Sequence, residues 1–576
     1  MERLEAKQIN GHTYYYYSKW ARVDGKCRRV WQKYLGKLED IAQAVQGGDP
    51  PAEHAEVFQW GLPEMLWKEC CRADAIALFD RQCPKRTQDL STGQYLAIAA
   101  LNRAICPHSK RSMWDWFSQT VLLRHLPKAT AARLSSQQFW NHMDRIDEDS
   151  CHTIWRNMLQ GVIRRENLDL DSVCYDGTNF YTFIDTFNTR CDLAKRGKNK
   201  QGRANLRQVS YALFCCGDAH VPLFYDVYDG NRNDAKQFPR MLVAFHDFLR
   251  DVTGKQGPLP ETTLVFDKGN NSKDNFALVD SLQLKFVGSV KLDEHKDLAR
   301  IPNDDSDFVP CPSPRLEGTK SLRTRKLIYG RQRSVVVTFN QNLFDSQWLT
   351  LQNDLAKALE KLSNLRQKLE DRRAGIVRRG KRATMASVEK QCREHLSRQH
   401  LKSLIPCTVE PDEDGLPYLQ YEVNSEALDR LCNTYLGKNI LVTDQDQWSD
   451  EKIIVSYRSQ YVIEDVFKEM KDRRTGSWWP MFHWTDSKIR VHALYCTTAL
   501  LLRALALRRV HQAGINISIK RLLGELESIR EVINVFPRKR GQKVHRRQTV
   551  LTKTSEVQDR LMDLFELNKP QNDSLG

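Results

Sequence analysis

Tyr457–Lys471 reads YRSQYVIEDVFKEMK, and the fold of the whole chain turns on how this stretch is read. Ser449, Asp450 and Glu451 precede it, an N-cap residue and acidic first turn of the kind that opens a helix. No Gly or Pro follows until Gly476, which predicts one uninterrupted helix. At about 3.6 residues per turn, Tyr457, Tyr461, Glu464, Lys468 and Lys471 fall on one stripe. Ile454, Val462, Ile463, Val466 and Phe467 supply apolar contacts on the remaining faces. A carboxylate among aromatic and cationic residues on one stripe reads either as a solvated face laced by ion pairs or as part of a charged site.

Working outward, the block before this helix is rich in strands. Ser172–Tyr175 runs into Asp176 and then Gly177-Thr178-Asn179. Gln208–Cys216 and Val221–Tyr228 follow, joined by a Gly217-Asp218 turn, and Gly230-Asn231 closes the second. Leu264–Phe266 runs into Asp267 and Lys268-Gly269-Asn270, followed by a helix from Ser272 to Leu282 and a strand at Lys285–Val290. This order predicts a mixed α/β sheet with Asp176 and Asp267 each at the end of a strand. Taken singly, such an aspartate is more often a turn or cap residue than a ligand.

Residues 268–463 are too many for a single crossover and predict an insertion. Leu355, Leu359, Leu362, Leu365 and Leu369 recur with the spacing of an amphipathic, coiled-coil-like helix. Arg372, Arg373, Arg378, Arg379, Lys381 and Arg382 then form a basic tip around Gly375 and Gly380. A second helix is expected over Ser387–Leu404, with strands at Tyr418–Val423 and Ile440–Thr443. Gly375-x4-Gly380-Lys381 imitates a phosphate-binding loop, but Arg382 stands where Ser or Thr is needed and no strand precedes it. Cys392, His395, His400 and Cys407 have a metal-ligand flavour, but their irregular spacing, partly on a helix, favours a solvated helix over structural zinc.

Towards the N-terminus, residues 13–35 alternate as a β-hairpin turning at Asp24-Gly25. Its aromatics with Arg28, Arg29 and Lys33 suit either a grip on DNA or one packed and one wet face. Helical patterning covers Pro63–Phe79, Thr92–Ile105, Ser112–Leu123 and Ser150–Arg165. After the central stretch come Phe482–His492, an apolar helix at 493–507, a helix at Ile519–Ile529, a basic stretch at Arg538–Arg547 and a last helix near Ser555–Leu567. His483 and His492 read as structural histidines more readily than as phosphate contacts. The expected domains are a β-hairpin region at 1–50 and a helical domain at 55–168, rich in Arg and Lys as a DNA-binding domain would be. A core in two parts (169–300 and 449–510) surrounds an insertion at 301–448, and a helical and basic region covers 511–576.

Composition points the same way. With 88 Lys and Arg against 72 Asp and Glu, the formal charge is +16 and favours a polyanionic partner, nucleic acid first. Fifteen scattered cysteines, and no apolar run in MERLEAKQING, suggest reduced thiols in a cytosol. Ala493–Leu502 is cut by Arg503 and is too short to span a bilayer. The expectation is a soluble intracellular protein with no membrane partner.

The spacing Tyr457-x2-Gln460-x3-Glu464-x6-Lys471 resembles the Y-x2-R-x3-E-x6-K signature of DDE-type bacterial transposases, those of insertion-sequence family four and its offshoot numbered sixteen thirty-four. Gln460 stands where the family has Arg. The resemblance extends to Tyr34-Leu35-Gly36, Asn102-Arg103, Pro107-x-Ser109-Lys110 with Trp116, and Phe482–His492, and is strongest over 170–290 and 440–505. It implies a ribonuclease H-like α/β catalytic core with an inserted domain, preceded by a helical N-terminal domain. Asp176, Asp267 and Glu464 become the catalytic and metal-binding carboxylates, holding two Mg²⁺ ions with Mn²⁺ as a substitute; hard cations of this kind prefer oxygen ligands.

By the same resemblance, water hydrolyses the strand at the transposon end and the freed 3′-hydroxyl attacks target DNA. Tyr457, Gln460 and Lys471 would lie on phosphates of the transposon end. Arg458, Tyr461, Lys468 and the basic tip are further candidate DNA contacts. Gln460 carries no charge and cannot reproduce a guanidinium's bidentate grip, so Arg458 is the candidate to compensate. The implied partners are terminal inverted repeats and target DNA, bound by a dimer on nucleoid DNA in a bacterial cytoplasm. The alternative is a DNA-binding protein of the same descent that no longer cuts, against which the intact carboxylates argue.

Overall fold

Alternating aromatic and basic residues at the N-terminus pair as strands, with one strand more than the hairpin reading contains. The computed structural model describes every residue except Asp24 and residues 48–50, 84–88, 199–201, 204, 218–219, 255–261, 539–543 and 568–576. It places β1 (Glu2–Ile9), β2 (His12–Val23) and β3 (Lys26–Gly36) in one antiparallel sheet. The chain divides into two units, one of residues 1–67, 115–127 and 516–576 and one of 68–114 and 128–515. In the first unit, His54–Gln59, Arg530–Val535 and Arg547–Leu551 form a second antiparallel sheet, so the C-terminal region supplies strands to a segment near the N-terminus. The helix expected at Ser112–Leu123 is broken into Met113–Phe117 and Leu122–His125. The intervening residues turn, and a bridge to Gln59, whose N–H donates to Gln119 O and whose carbonyl accepts from the Val121 N–H, takes them out of the helix. Part of the Asp24-Gly25 turn, the Gly217-Asp218 turn and the Arg538–Arg547 stretch lies outside the described residues.

The second unit is built on a sheet whose central strands are apolar on both faces, as burial on both sides requires. In chain order these are β4 (Ser172–Tyr181), β5 (Arg207–Cys216), β6 (Pro222–Asp229), β7 (Thr263–Phe266), β8 (Lys285–Val290), β9 (Thr319–Ile328), β10 (Arg331–Asn340) and β11 (Lys438–Thr443). The spatial order is β9-β10-β11-β8-β7-β4-β5-β6, and two two-residue strands at the margins complete a ten-stranded sheet. β4, β7 and β8 run parallel, and every other pairing among the eight is antiparallel. Two strands, β9 and β10, were absent from the expected set. With β11 they extend the central sheet, so the strands of 301–448 do not all belong to an insertion.

Asp176 is not at a strand end. β4 continues to Tyr181 because Gly177, Thr178 and Asn179 stay paired with Ala212, Tyr211 and Ser210, which holds the expected turn extended. Asp267 does follow its strand directly, as the N-cap of a short 3₁₀ turn.

Five helices matter below: α1 (Glu148–Glu166), α2 (Asp234–Thr253), α3 (Gln341–Arg373), α4 (Asp450–Arg458) and α5 (Gln460–Lys471). α2 was hidden by Pro239 inside it. Proline cannot donate to the carbonyl four residues back, and Asn275 Nδ2 donates to that carbonyl, Ala235 O, at 3.4 Å. α3 buries Leu351, Leu355, Ala358, Leu362 and Leu365 against Val388, Cys392, Leu401 and Leu419, a hydrophobic cluster confined to residues 351–436. The expected helix at Ser387–Leu404 is two pieces, Met385–His395 and Leu401–Leu404, separated where His400 takes a φ of 69°.

The expected apolar helix at 493–507 is α6 (Asp486–Gln512), longer at both ends. It is long and apolar enough to cross a bilayer, but its most apolar window is 94% buried inside the protein. Arg503 is only 1% exposed; it pairs with Glu469 at 2.6 Å and donates to the carbonyls of Ala104 and Thr475 at 2.7 Å each. All fifteen cysteines are free.

Candidate active site

The stretch expected as one helix is two, α4 and α5, joined at Ser459. Ser459 Oγ donates to Ser456 O at 2.6 Å and its backbone N–H divides between Val455 O and Ser456 O. A serine that competes for the helix's own carbonyls bends it. The bend takes the residues before Ser459 off the stripe on which Glu464 and Lys471 lie.

The register of the parallel strands sets the two aspartates. Ser172 through Tyr175 of β4 face Thr263 through Phe266 of β7, so Asp176 and Asp267 are the next residues along on neighbouring chains. Such chains lie about 4.8 Å apart. Cys174, Asp176 and Thr178 share one face of β4, because side chains alternate along a strand. α5 runs along that face: Cys174 Sγ lies 3.3 Å from Ser459 Oγ just before α5 begins, and Lys471 Nζ at its end donates to Thr178 Oγ1. Val462, Ile463, Val466, Phe467 and Met470 are buried and seat the helix. Glu464 lies two turns before Lys471 and therefore on the stripe that follows the Asp176 face.

The other carboxylates of α5 are committed elsewhere. Glu469 is locked to Arg503, and Asp465 accepts from Lys468 Nζ at 2.9 Å. Asp267 and Glu464 are exposed, and neither has a hydrogen bond or ion pair from its side chain among the described residues. Asp176 is half-buried and its Oδ1 accepts from the Gly177 N–H at 2.7 Å. The donors offered are oxygens only, which suits a hard divalent cation.

The three carboxylates are not drawn together to ligand distance. Among the described residues, the trio whose ligating atoms lie within 4.8 Å of one another is Glu148, His152 and Asp226, which the sequence reading passed over. The signals available were Glu148-x3-His152 on one face of α1 and an acidic residue inside the apolar strand β6. That cluster is already neutralised: Glu148 pairs with Arg490 at 2.8 Å and Asp226 with Arg240 at 3.5 Å. Burial pushes the Asp226 carboxyl above the usual range, opposed by Arg240.

The remaining sequence candidates divide by what they touch. Tyr457 donates its hydroxyl to Ser289 Oγ at 2.7 Å; burial raises its pKa, and the charge of nearby Asp267 adds to the rise. Arg458 donates to Thr319 Oγ1 at 2.9 Å, away from Gln460, whose Nε2 is buried with no partner among the described residues. Tyr461 and Lys468 are exposed. In the basic tip, Arg372 donates to the carbonyls of Arg379, Gly380 and Lys381, Arg373 Nε to Asp412 at 2.6 Å and Arg378 Nε to Gly375 O at 3.1 Å. These three hold the tip's own shape, while Arg379, Lys381 and Arg382 are exposed.

No curated protein matches the chain. Among solved structures, the piggyBac transposase synaptic complex with hairpin DNA shares 10% identity over 81% of this chain and 79% of that one, with a TM-score of 0.35. The Mos1 transposase paired-end complex with the left transposon end shares 10% over 35% and 59%, with a TM-score of 0.15. Neither likeness is close enough to bear on the fold. The sequence itself matches the transposase DDE domain over residues 170–502, more than half its length and the span that carries Asp176, Asp267 and Glu464. The chain belongs to the transposase DDE-domain family.

Proposed function

We propose that the chain is a DNA transposase of the insertion-sequence type, which cleaves transposon ends and joins their 3′-hydroxyls to target DNA. The observation that supports this most strongly is the β4–β7 register, which sets Asp176 beside Asp267 on a sheet face followed by the Glu464 stripe of α5. The strand order β6-β5-β4-β7-β8, three antiparallel strands and then parallel ones, supports a ribonuclease H-like core.

Asp176, Asp267 and Glu464 would hold Mg²⁺ or Mn²⁺. Bound there, two divalent ions activate the attacking oxygen and stabilise the leaving one. Lys471 and Tyr457 flank the carboxylates and keep their positions through Thr178 and Ser289. Arg458 does not stand in for the family's missing arginine, because it is engaged with Thr319. Arg379, Lys381 and Arg382 are the members of the basic tip left to meet DNA phosphates, in a dimer assembled on terminal repeats and target DNA in a bacterial cytoplasm.

The test is nicking of labelled duplexes from the DNA flanking the reading frame, with Mg²⁺ present. The wild type should nick them, while Asp176→Asn, Asp267→Asn and Glu464→Gln should bind without nicking. Wild-type protein that binds the ends and never nicks them would favour the non-cutting alternative.

A further inference from the structure

The N-terminal sheet has two faces of different character. Opposed residues lie on the same face, so the registers assign Arg3, Glu5, Lys7, Tyr14, Tyr16, Trp20, Arg29 and Tyr34 to one side. That side is knit together around Glu5, which accepts from Trp20 Nε1 at 2.5 Å and pairs with Arg3 at 3.1 Å and Arg29 at 3.7 Å. Arg3 lies over the Trp20 ring and Lys7 over Tyr16. Its cations are therefore engaged within the sheet.

The opposite face carries Leu4, Tyr17, Lys19, Arg28, Trp31 and Lys33. Leu4 is 58% exposed, Tyr17 38% and Trp31 47%. Tyr17 and Trp31 meet edge to face at 6.0 Å across β2 and β3, and Lys19, Arg28 and Lys33 surround them, all exposed. Glu2, on the same face, pairs with Lys19 at 3.2 Å and accepts from the Tyr17 hydroxyl at 2.6 Å, while Arg28 and Lys33 have no ion pair among the described residues. Residues 1–37 hold nine Lys and Arg against three acidic residues, more than a third of the chain's net charge in under a tenth of its length.

We infer that this face of the N-terminal sheet, built around Tyr17, Trp31, Lys19, Arg28 and Lys33, docks on duplex DNA. Three strands span about 10 Å between outer chains, a width that suits a major groove of about 12 Å. The basic residues then meet phosphates at its rims, and the aromatic pair meets sugars and base edges. The match of sheet width to groove width is what favours the duplex over a single strand. The inference rests on the transposase reading for its choice of nucleic acid over other polyanions, and places a DNA contact far along the sequence from the carboxylates.

The experiment uses the full-length protein and a 30-base-pair duplex of arbitrary sequence, with affinity followed by fluorescence anisotropy against salt. Lys19→Gln, Arg28→Gln and Lys33→Gln combined should lower the slope of log affinity against log salt by about 0.9 for each lost phosphate contact, two to three contacts in all. Trp31→Ala should weaken binding severalfold with the slope unchanged. Lys7→Gln, on the engaged face, should change neither, and circular dichroism should show all variants folded. An unchanged slope in the folded triple variant overturns the inference. So does a change in sedimentation mass with unchanged DNA affinity, which would make the face a contact between copies. Nicking in Mg²⁺ is followed in parallel at low salt. If Asp267→Asn abolishes it and the triple variant's slope is unchanged, the inference fails while the transposase reading stands; if the wild type neither nicks nor binds, the reading itself fails.

Discussion

Two groups of carboxylates lie about the same large sheet, on its strands and on the helices beside it, and differ in what answers their charge. Glu148 and Asp226, with His152, gather near the edge strand β6, and Arg490 and Arg240 pair with the two acids. Asp267 and Glu464 lie near the central strands with Asp176, and no arginine or lysine forms an ion pair with either among the described residues. The first arrangement is closed: a cation entering it displaces a guanidinium. The second is open. Like charges held near one another repel, which disfavours the folded state unless a counter-ion arrives. Crowding of ligand atoms therefore need not mark a metal site, since guanidinium groups built into the fold can already answer the charge.

The comparison can be broken most sharply through activity. Asp176→Asn, Asp267→Asn and Glu464→Gln should each lower end cleavage by at least about 10⁴-fold, more than about 5 kcal/mol on the barrier, in a single-turnover nicking assay. For Asp267→Asn and Glu464→Gln, denaturant midpoints should hold or rise slightly, since neither carboxylate has an ion pair among the described residues and each change removes repulsion. A matching fall in stability would put the residue among the structural pairs instead. Arg503→Met should act in the opposite sense, on stability. It leaves Glu469 without its buried partner and should cost about 3 kcal/mol or more by guanidinium unfolding. A smaller effect is expected for Arg490→Met, about 1 kcal/mol, because Glu148 is partly exposed and solvent screens the pair; nicking should be unaffected. Least is expected of Gln460→Met, which removes a buried amide nitrogen with no partner among the described residues and should leave stability unchanged or raise it by about 1 kcal/mol.

Much of the local structure around this candidate site was legible because it lies on local patterns. The apolar run before Asp267, the strand Lys285–Val290 and the stripe joining Glu464 to Lys471 are short-range signals, and the chain follows them. What was hidden depends on partners distant in sequence. Gly177-Thr178-Asn179 has turn composition, yet it stays in β4 because β5 pairs with it along its whole length. Ser459 looks like any helical serine until its hydroxyl is seen bonded to Ser456 O and set against Cys174. Pro239 argued against a helix that Asn275 sustains, from 36 residues further along. Arg372 and Arg373 resemble free DNA contacts in sequence, but the carbonyls and carboxylate that occupy them are set by how the tip folds back.

The central claim is that the open group binds divalent metal and the closed group does not. The most direct measurement is Mn²⁺ binding by electron paramagnetic resonance, on the full-length protein with duplex DNA present, for the wild type, Asp267→Asn, Glu464→Gln and Asp226→Asn. The account predicts tight Mn²⁺ uptake by the wild type and Asp226→Asn, and its loss in Asp267→Asn and Glu464→Gln. Uptake lost in Asp226→Asn but kept in Asp267→Asn and Glu464→Gln would contradict it.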